Sequence, residues 1–216
     1  MTKSWQESTH SRQPGNLSVN TILILSVLIA YNLPWIASGT AGLSLNAYDL
    51  AEWSSLHPSV VNMTPSLLTT FLLRLPLTCL TLIIAASTPQ PPFRSIAWWM
   101  MSIIVLILTI TLLPPLEFLS TDSSNNNYRQ MFALSVFTGL FGISFIMGMG
   151  QRWQKYLIIL LALMGLIVSI GGIALGINLY ADFFLPRGIG IGALLTPALF
   201  GVIAIVTWRD SKTGQQ

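Results

Sequence analysis

The chain has 216 residues, of which ten are Lys or Arg and seven Asp or Glu; charged residues make up 8% and hydrophobic residues 53%. Soluble domains carry roughly 25% charge, so this supply is too sparse to cover a water-soluble body, and a net charge of +3 is too small and scattered to suggest nucleic acid. A single cysteine, Cys79, excludes an intramolecular disulfide and a cysteine-only zinc site, while His10 and His57 both lie outside the apolar blocks and exclude a bis-histidine membrane haem.

Residues 1–18 form a polar tail. Apolar blocks follow at 19–36, 65–86, 96–113, 131–149, 156–179 and 188–208, ahead of a second polar tail at 209–216. Each block is close to the ~20 residues that cross a bilayer as a helix, and all are too continuous for the alternating strands of a barrel. The sequence therefore predicts an all-α integral membrane protein, one domain of about six transmembrane helices over 19–208. The first block reads as a retained anchor, not a signal peptide, because its apolar run continues to Trp35.

The loop 37–64 is the longest connection and has enough apolar residues to fold. Asn46 or Ser44 can cap a short helix there and Pro58 can end it. At 100° per residue, Leu45, Tyr48, Asp49, Glu52 and Leu56 share one face, which predicts a short amphipathic helix in this first outer loop. A metal site built from Asp49, Glu52 and His57 matches no established ligand spacing.

The second block carries Arg74 near its middle, followed by Pro76. A central arginine costs about 2.5–3.5 kcal/mol, and the leucines, isoleucines and phenylalanine of this block return on the order of 4–5 kcal/mol, so insertion wins. Counted from Pro65 at ~1.5 Å per residue, Arg74 should lie about 14 Å from the outer end. An ionisable group at that depth needs a partner. Asp49 and Glu52 are the nearest acids by topology, ahead of Glu117 and Asp182; Asn32, Asn178 or carbonyls freed at Pro76 are the alternatives.

Further along, 114–130 contains the run STDSSNNN and reads as a solvated outer loop with little to pack. The later blocks hold the glycines. Gly172 with Gly176 and Gly188 with Gly192 form GxxxG spacings, which predict close helix packing among the last three helices or a subunit interface.

Orientation follows from charge. With both termini cytoplasmic, Lys3, Arg12, Arg94, Arg152, Lys155, Arg209 and Lys212 lie inside, against Arg129 and Arg187 outside; Asp49, Glu52, Glu117, Asp122 and Asp182 lie outside, against Glu7 and Asp210 inside. That is a positive-inside bias. Trp35, Trp98, Trp99, Trp153, Trp208 and Tyr180 fall where this topology places the interfaces.

No phosphate loop, zinc helix, nucleophile elbow or paired intramembrane carboxylates occur. The sequence thus favours a non-catalytic subunit of a complex in the cell membrane, with the bilayer and other membrane subunits as partners and no cofactor or metal implied. A small transporter or channel component for an anionic or lipidic solute, with Arg74 on its path, is the alternative. A membrane enzyme comes third, because no residue set supports a mechanism.

Overall fold

A computed structural model describes residues 15–37, 44–90, 92–119, 122–181 and 188–213. The expectations placed on Lys3, Glu7, His10, Arg12, Asp182 and Arg187 lie outside the described residues, as do those on the ends of both tails.

Six long helices dominate: α1 (Gly15–Asn32), α4 (Leu68–Ala86), α5 (Ile96–Thr111), α6 (Asn126–Ile146), α7 (Gln154–Ala181) and α8 (Ile191–Thr213). Two short helices, α2 (Ala47–Ser55) and α3 (Pro58–Asn62), occupy the first loop. Four helices, at Leu68–Ala86, Asn126–Ile146, Gln151–Leu179 and Ile191–Lys212, are long and apolar enough to cross a membrane. The fold is all-α in its main body, compatible with a multi-pass membrane protein.

The helix ends correct several expected boundaries. Helix α1 stops at Asn32, not residue 36, because Pro34 disfavours helical backbone before it. Its first turn takes in residues assigned to the polar tail. Helix α4 begins at Leu68, after Leu67 turns the chain in the left-handed region at φ 59°. Helix α6 starts at Asn126, five residues early, with the Asn125 side chain accepting from the Asn127 amide. Helix α8 begins three residues late and continues to Thr213, through residues read as tail.

The six long helices alternate in direction. Gln154 donates to the Ala86 carbonyl, Gln90 to that of Ile146 and Lys155 to that of Asp210, tying together one pole. At the other pole, strands β1 (Ile36–Ala37), β2 (Ser44–Leu45) and β3 (Gly188–Ile189) pair antiparallel in the order β2-β1-β3. This small sheet was not anticipated from the apolar pattern. It is made by glycine: the Gly190 and Gly192 amides donate to the Trp35 and Pro34 carbonyls, both at 2.9 Å. A Cβ on Gly190 would stand 2.1 Å from the Pro34 oxygen.

Helix α4 is the central helix. Of its spanning window 78% is buried, against 33–44% for the other three candidate spans. It packs against α1, α2, α5, α6 and α7, while α8 leans on α1 and α7. Outward faces, such as Ile103, Leu106, Ile107 and Ile110 of α5, are exposed and apolar. The charges divide between the poles. Among the described residues the first pole holds Arg94, Arg152, Lys155, Arg209 and Lys212 with Asp210, and the opposite pole holds Asp49, Glu52, Glu117 and Asp122 with Arg129.

Two expected interface tryptophans are interior residues. Trp98 is buried and its indole donates to the Ile146 carbonyl, and Trp35 is packed edge-on against Tyr31. Trp99, Trp153 and Trp208 are exposed at the basic pole, with the Lys212 ammonium 4.0 Å above the Trp208 ring.

The glycine contacts also differ from the expected packing of the last three helices on each other. Gly172 faces α4, where an added Cβ would lie 3.1 Å from Leu73 and 3.3 Å from the Leu72 carbonyl. Pro76 has no N–H to offer that carbonyl, so α7 at Gly172 meets the weakened turn of α4. Gly176 faces Leu50 of α2, Gly188 lies in β3 against Ala37, and Gly192 abuts the end of α1. Gly165 meets the buried Phe200 ring and is a true α7–α8 contact. We expect Gly172→Leu to lower the melting temperature in mild detergent by several degrees, because van der Waals packing is the main force between helices in lipid. Gly201 has open space where a Cβ would go, so Gly201→Ala should leave melting unchanged or slightly raised. Wild-type melting of Gly172→Leu would contradict the contact.

Candidate functional site

The site is built where α2 lies across the start of α4. Asn46 caps α2 by accepting from the Asp49 amide at 2.9 Å. Pro58 does not end this helix but opens α3 at its first position, with the His57 ring as cap.

The buried face of α2 consists of Ala47, Leu50, Ala51, Ser54 and Ser55. Leu45, Tyr48, Asp49, Glu52 and Leu56 share the other side of this segment, where Leu45 and Tyr48 still pack against the core, Glu52 reaches Arg74 and Leu56 is 81% exposed. Small side chains let the two backbones approach, and that outweighs the size of the apolar residues opposite. Ser54 and Thr70, both fully buried, share a hydrogen bond of 3.1 Å between α2 and α4.

Arg74 sits six residues into α4, about 9 Å from its start at ~1.5 Å per residue, rather than the deeper position reckoned from Pro65. Its side chain is fully buried. Nη2 donates to Glu52 Oε1 at 2.5 Å and Nη1 to Asn127 Oδ1 at 2.7 Å. Nε has no protein acceptor. Three elements, α2, α4 and α6, thus converge on one guanidinium. The Tyr31 hydroxyl adds α1 by donating to the Leu73 carbonyl at 3.0 Å.

The Glu52 side chain is 39% exposed, so its carboxylate bridges the interior and the loop surface. Asp49 is not brought onto Arg74; its described hydrogen bond is the helix cap. Burial, and next the charge of Glu52, push the Tyr48 hydroxyl above the usual tyrosine range, with Arg74 opposing; Tyr48 is therefore a neutral phenol at neutral pH. His57 Nδ1 faces Ser59 Oγ at 2.6 Å. Among the described residues no group of three His, Cys, Asp or Glu side chains could hold a metal ion. Asn127 lies in a run whose composition predicts a solvated loop, whereas the three asparagines supply both the cap of α6 and a buried ligand for the guanidinium.

Removing one partner from a buried ion pair typically costs 3–5 kcal/mol, because the other charge stays buried and uncompensated. The arrangement can therefore hold α2 firmly on the bundle, and it leaves neither Nη of Arg74 idle. No family model, curated protein or solved structure matches the chain.

Asn127→Ala would leave Nη1 without its acceptor, at a cost of roughly 1–3 kcal/mol. We expect a melting temperature several degrees below wild type. Asp49→Asn, which keeps the cap amide and the Arg74 partners, should melt within a degree or so of wild type. Equal losses in the two variants would mean that Asp49 shares the guanidinium.

Proposed function

We propose that this chain is a six-span, non-catalytic subunit of a membrane complex, with both termini cytoplasmic and the α2–α3 segment as its docking platform on the outer side. The observation that carries the reading is the use of Arg74. Its guanidinium is buried between Glu52 and Asn127, so it serves as a clamp on α2, whereas a path for an anionic solute would need it offered to that solute.

Three further observations support the reading. The shorter apolar helices Thr21–Asn32 and Ile96–Thr111 run alongside the four longer spans and alternate with them in direction, which is the pattern of six crossings. The basic pole then becomes the cytoplasmic one by the positive-inside bias. The platform itself exposes large apolar side chains, Leu56 at 81% and Val61 at 45%, at the end of the bundle, where a partner subunit rather than lipid tails would cover them.

Single cysteines in a Cys79→Ser background test this. In sealed cells Ser123→Cys should react with a membrane-impermeant maleimide, and Gln151→Cys should not until the cells are opened. Leu56→Cys should react more slowly in native membranes than in the purified chain, because the partner shields it. Labelling of Gln151→Cys in sealed cells would overturn the topology. Equal rates for Leu56→Cys in both settings would overturn the docking platform.

A further inference from the structure

Helices α1 and α5 both pack on α4, from either side of a furrow. Two cavities lie along it. The one at the basic pole holds about 360 Å³ and is lined by Thr21 and Ile24 of α1, Ala97 and Met101 of α5, and Lys155 and Asp210 among others. The second holds about 400 Å³ and is lined by Leu28 and Tyr31 of α1 and by Leu108 and Thr111 of α5, with Leu77 of α4 at its base. The α1 positions recur at spacings of three and four and those of α5 at four, seven and three, so each set falls on one face of its helix. From Thr21 to Tyr31 that face runs about 15 Å at ~1.5 Å per residue, close to the depth of one leaflet of a hydrocarbon core about 30 Å thick.

We infer that the furrow between α1 and α5 is a binding site for one anionic phospholipid, with its headgroup at Lys155 and its acyl chains lying along Ile24, Met101 and Ile158. Charge selects the end and the headgroup. Lys155 lines the cavity mouth and spends one of its three donors on the Asp210 carbonyl at 3.1 Å. Arg152, Arg209 and Lys212 stand at the same pole. Asp210 also lines this cavity, and the basic residues at this pole outnumber it. The opposite pole is acidic and would repel the same headgroup. Ile24, Met101 and Ile158 supply the apolar wall that acyl chains require. This inference rests on the chain's lying in a membrane and is independent of the subunit reading, because it concerns the isolated chain.

The test is native mass spectrometry of the purified full-length chain, loaded from mixed micelles with equal amounts of phosphatidylglycerol and phosphatidylcholine of identical acyl chains. The expected result is retention of one phosphatidylglycerol per chain in preference to phosphatidylcholine. Lys155→Ala should weaken it about fivefold, the worth of one basic residue beside an anionic lipid surface. Ala97→Trp should fill the furrow and abolish retention, and Arg152→Ala, which removes a charge at the same pole but outside the furrow, should leave it at the wild-type level. If Ala97→Trp lowers the melting temperature, Met101→Trp on the same wall replaces it. Equal retention of the two lipids, wild-type retention in the tryptophan variant, or equal losses in Lys155→Ala and Arg152→Ala would each overturn the site.

Discussion

A charge that cannot reach water must be met inside the protein, and in this chain that requirement falls on Arg74. Its helix, α4, is the most enclosed of the bundle, so the guanidinium has no outward route. Coulomb attraction in such surroundings is far stronger than in water, and so is the penalty for leaving the group unpaired. Glu52 and Asn127 answer it from two different elements. The loop after α1 therefore cannot drift away from the bundle without exposing a costly interior cation.

The rest of the acidic pole is organised around that fixed point. Ala47, Ala51 and Ser54 allow α2 to lie close on α4, and Leu50 reaches Gly176 on α7. The strand β1 that follows α1 is then held near the entry to α8, where Gly188, Gly190 and Gly192 permit backbone to meet backbone. Pro76 sits one half-turn past Arg74, and Gly172 lets α7 approach the carbonyl that the proline leaves without its helical donor. The glycine contact at Leu72 and Leu73, the ion pair of Arg74 and the proline at 76 all fall within about one turn of α4. The α2–α3 segment is thus fixed on its inner side, while its outer side exposes Leu56 and Val61 among polar residues such as Asp49, Ser59 and Asn62.

Much of this was legible in the sequence because bilayers impose few solutions. Long apolar blocks announce the helices, and a lone arginine in one of them asks for an acid; the loop offered Asp49 and Glu52, and the geometry selects Glu52. Asn127 was not legible, since an asparagine in a polar run looks the same whether it caps, solvates or is buried. The buried face of α2 was not legible, because Ala47, Ala51, Ser54 and Ser55 make most of it and small residues at a close helix contact form no apolar stripe. Trp98 could be buried because a carbonyl at the end of α6 accepts its indole proton, a pairing that depends on tertiary placement. The strands escaped notice for a similar reason: two-residue pairings carry no periodicity.

The claim that the Arg74–Glu52 contact pins α2 is tested most directly by a double-mutant cycle on hydrogen exchange of the α2 amides. Arg74→Leu, Glu52→Leu and the double variant are compared with wild type in the same detergent. Each single change leaves one charge unpaired and should accelerate exchange in residues 47–55, and the double change removes both charges. The account predicts that the double variant exchanges more slowly than the sum of the single effects implies, with a coupling on the order of 0.5–3 kcal/mol. Effects that simply add would contradict it.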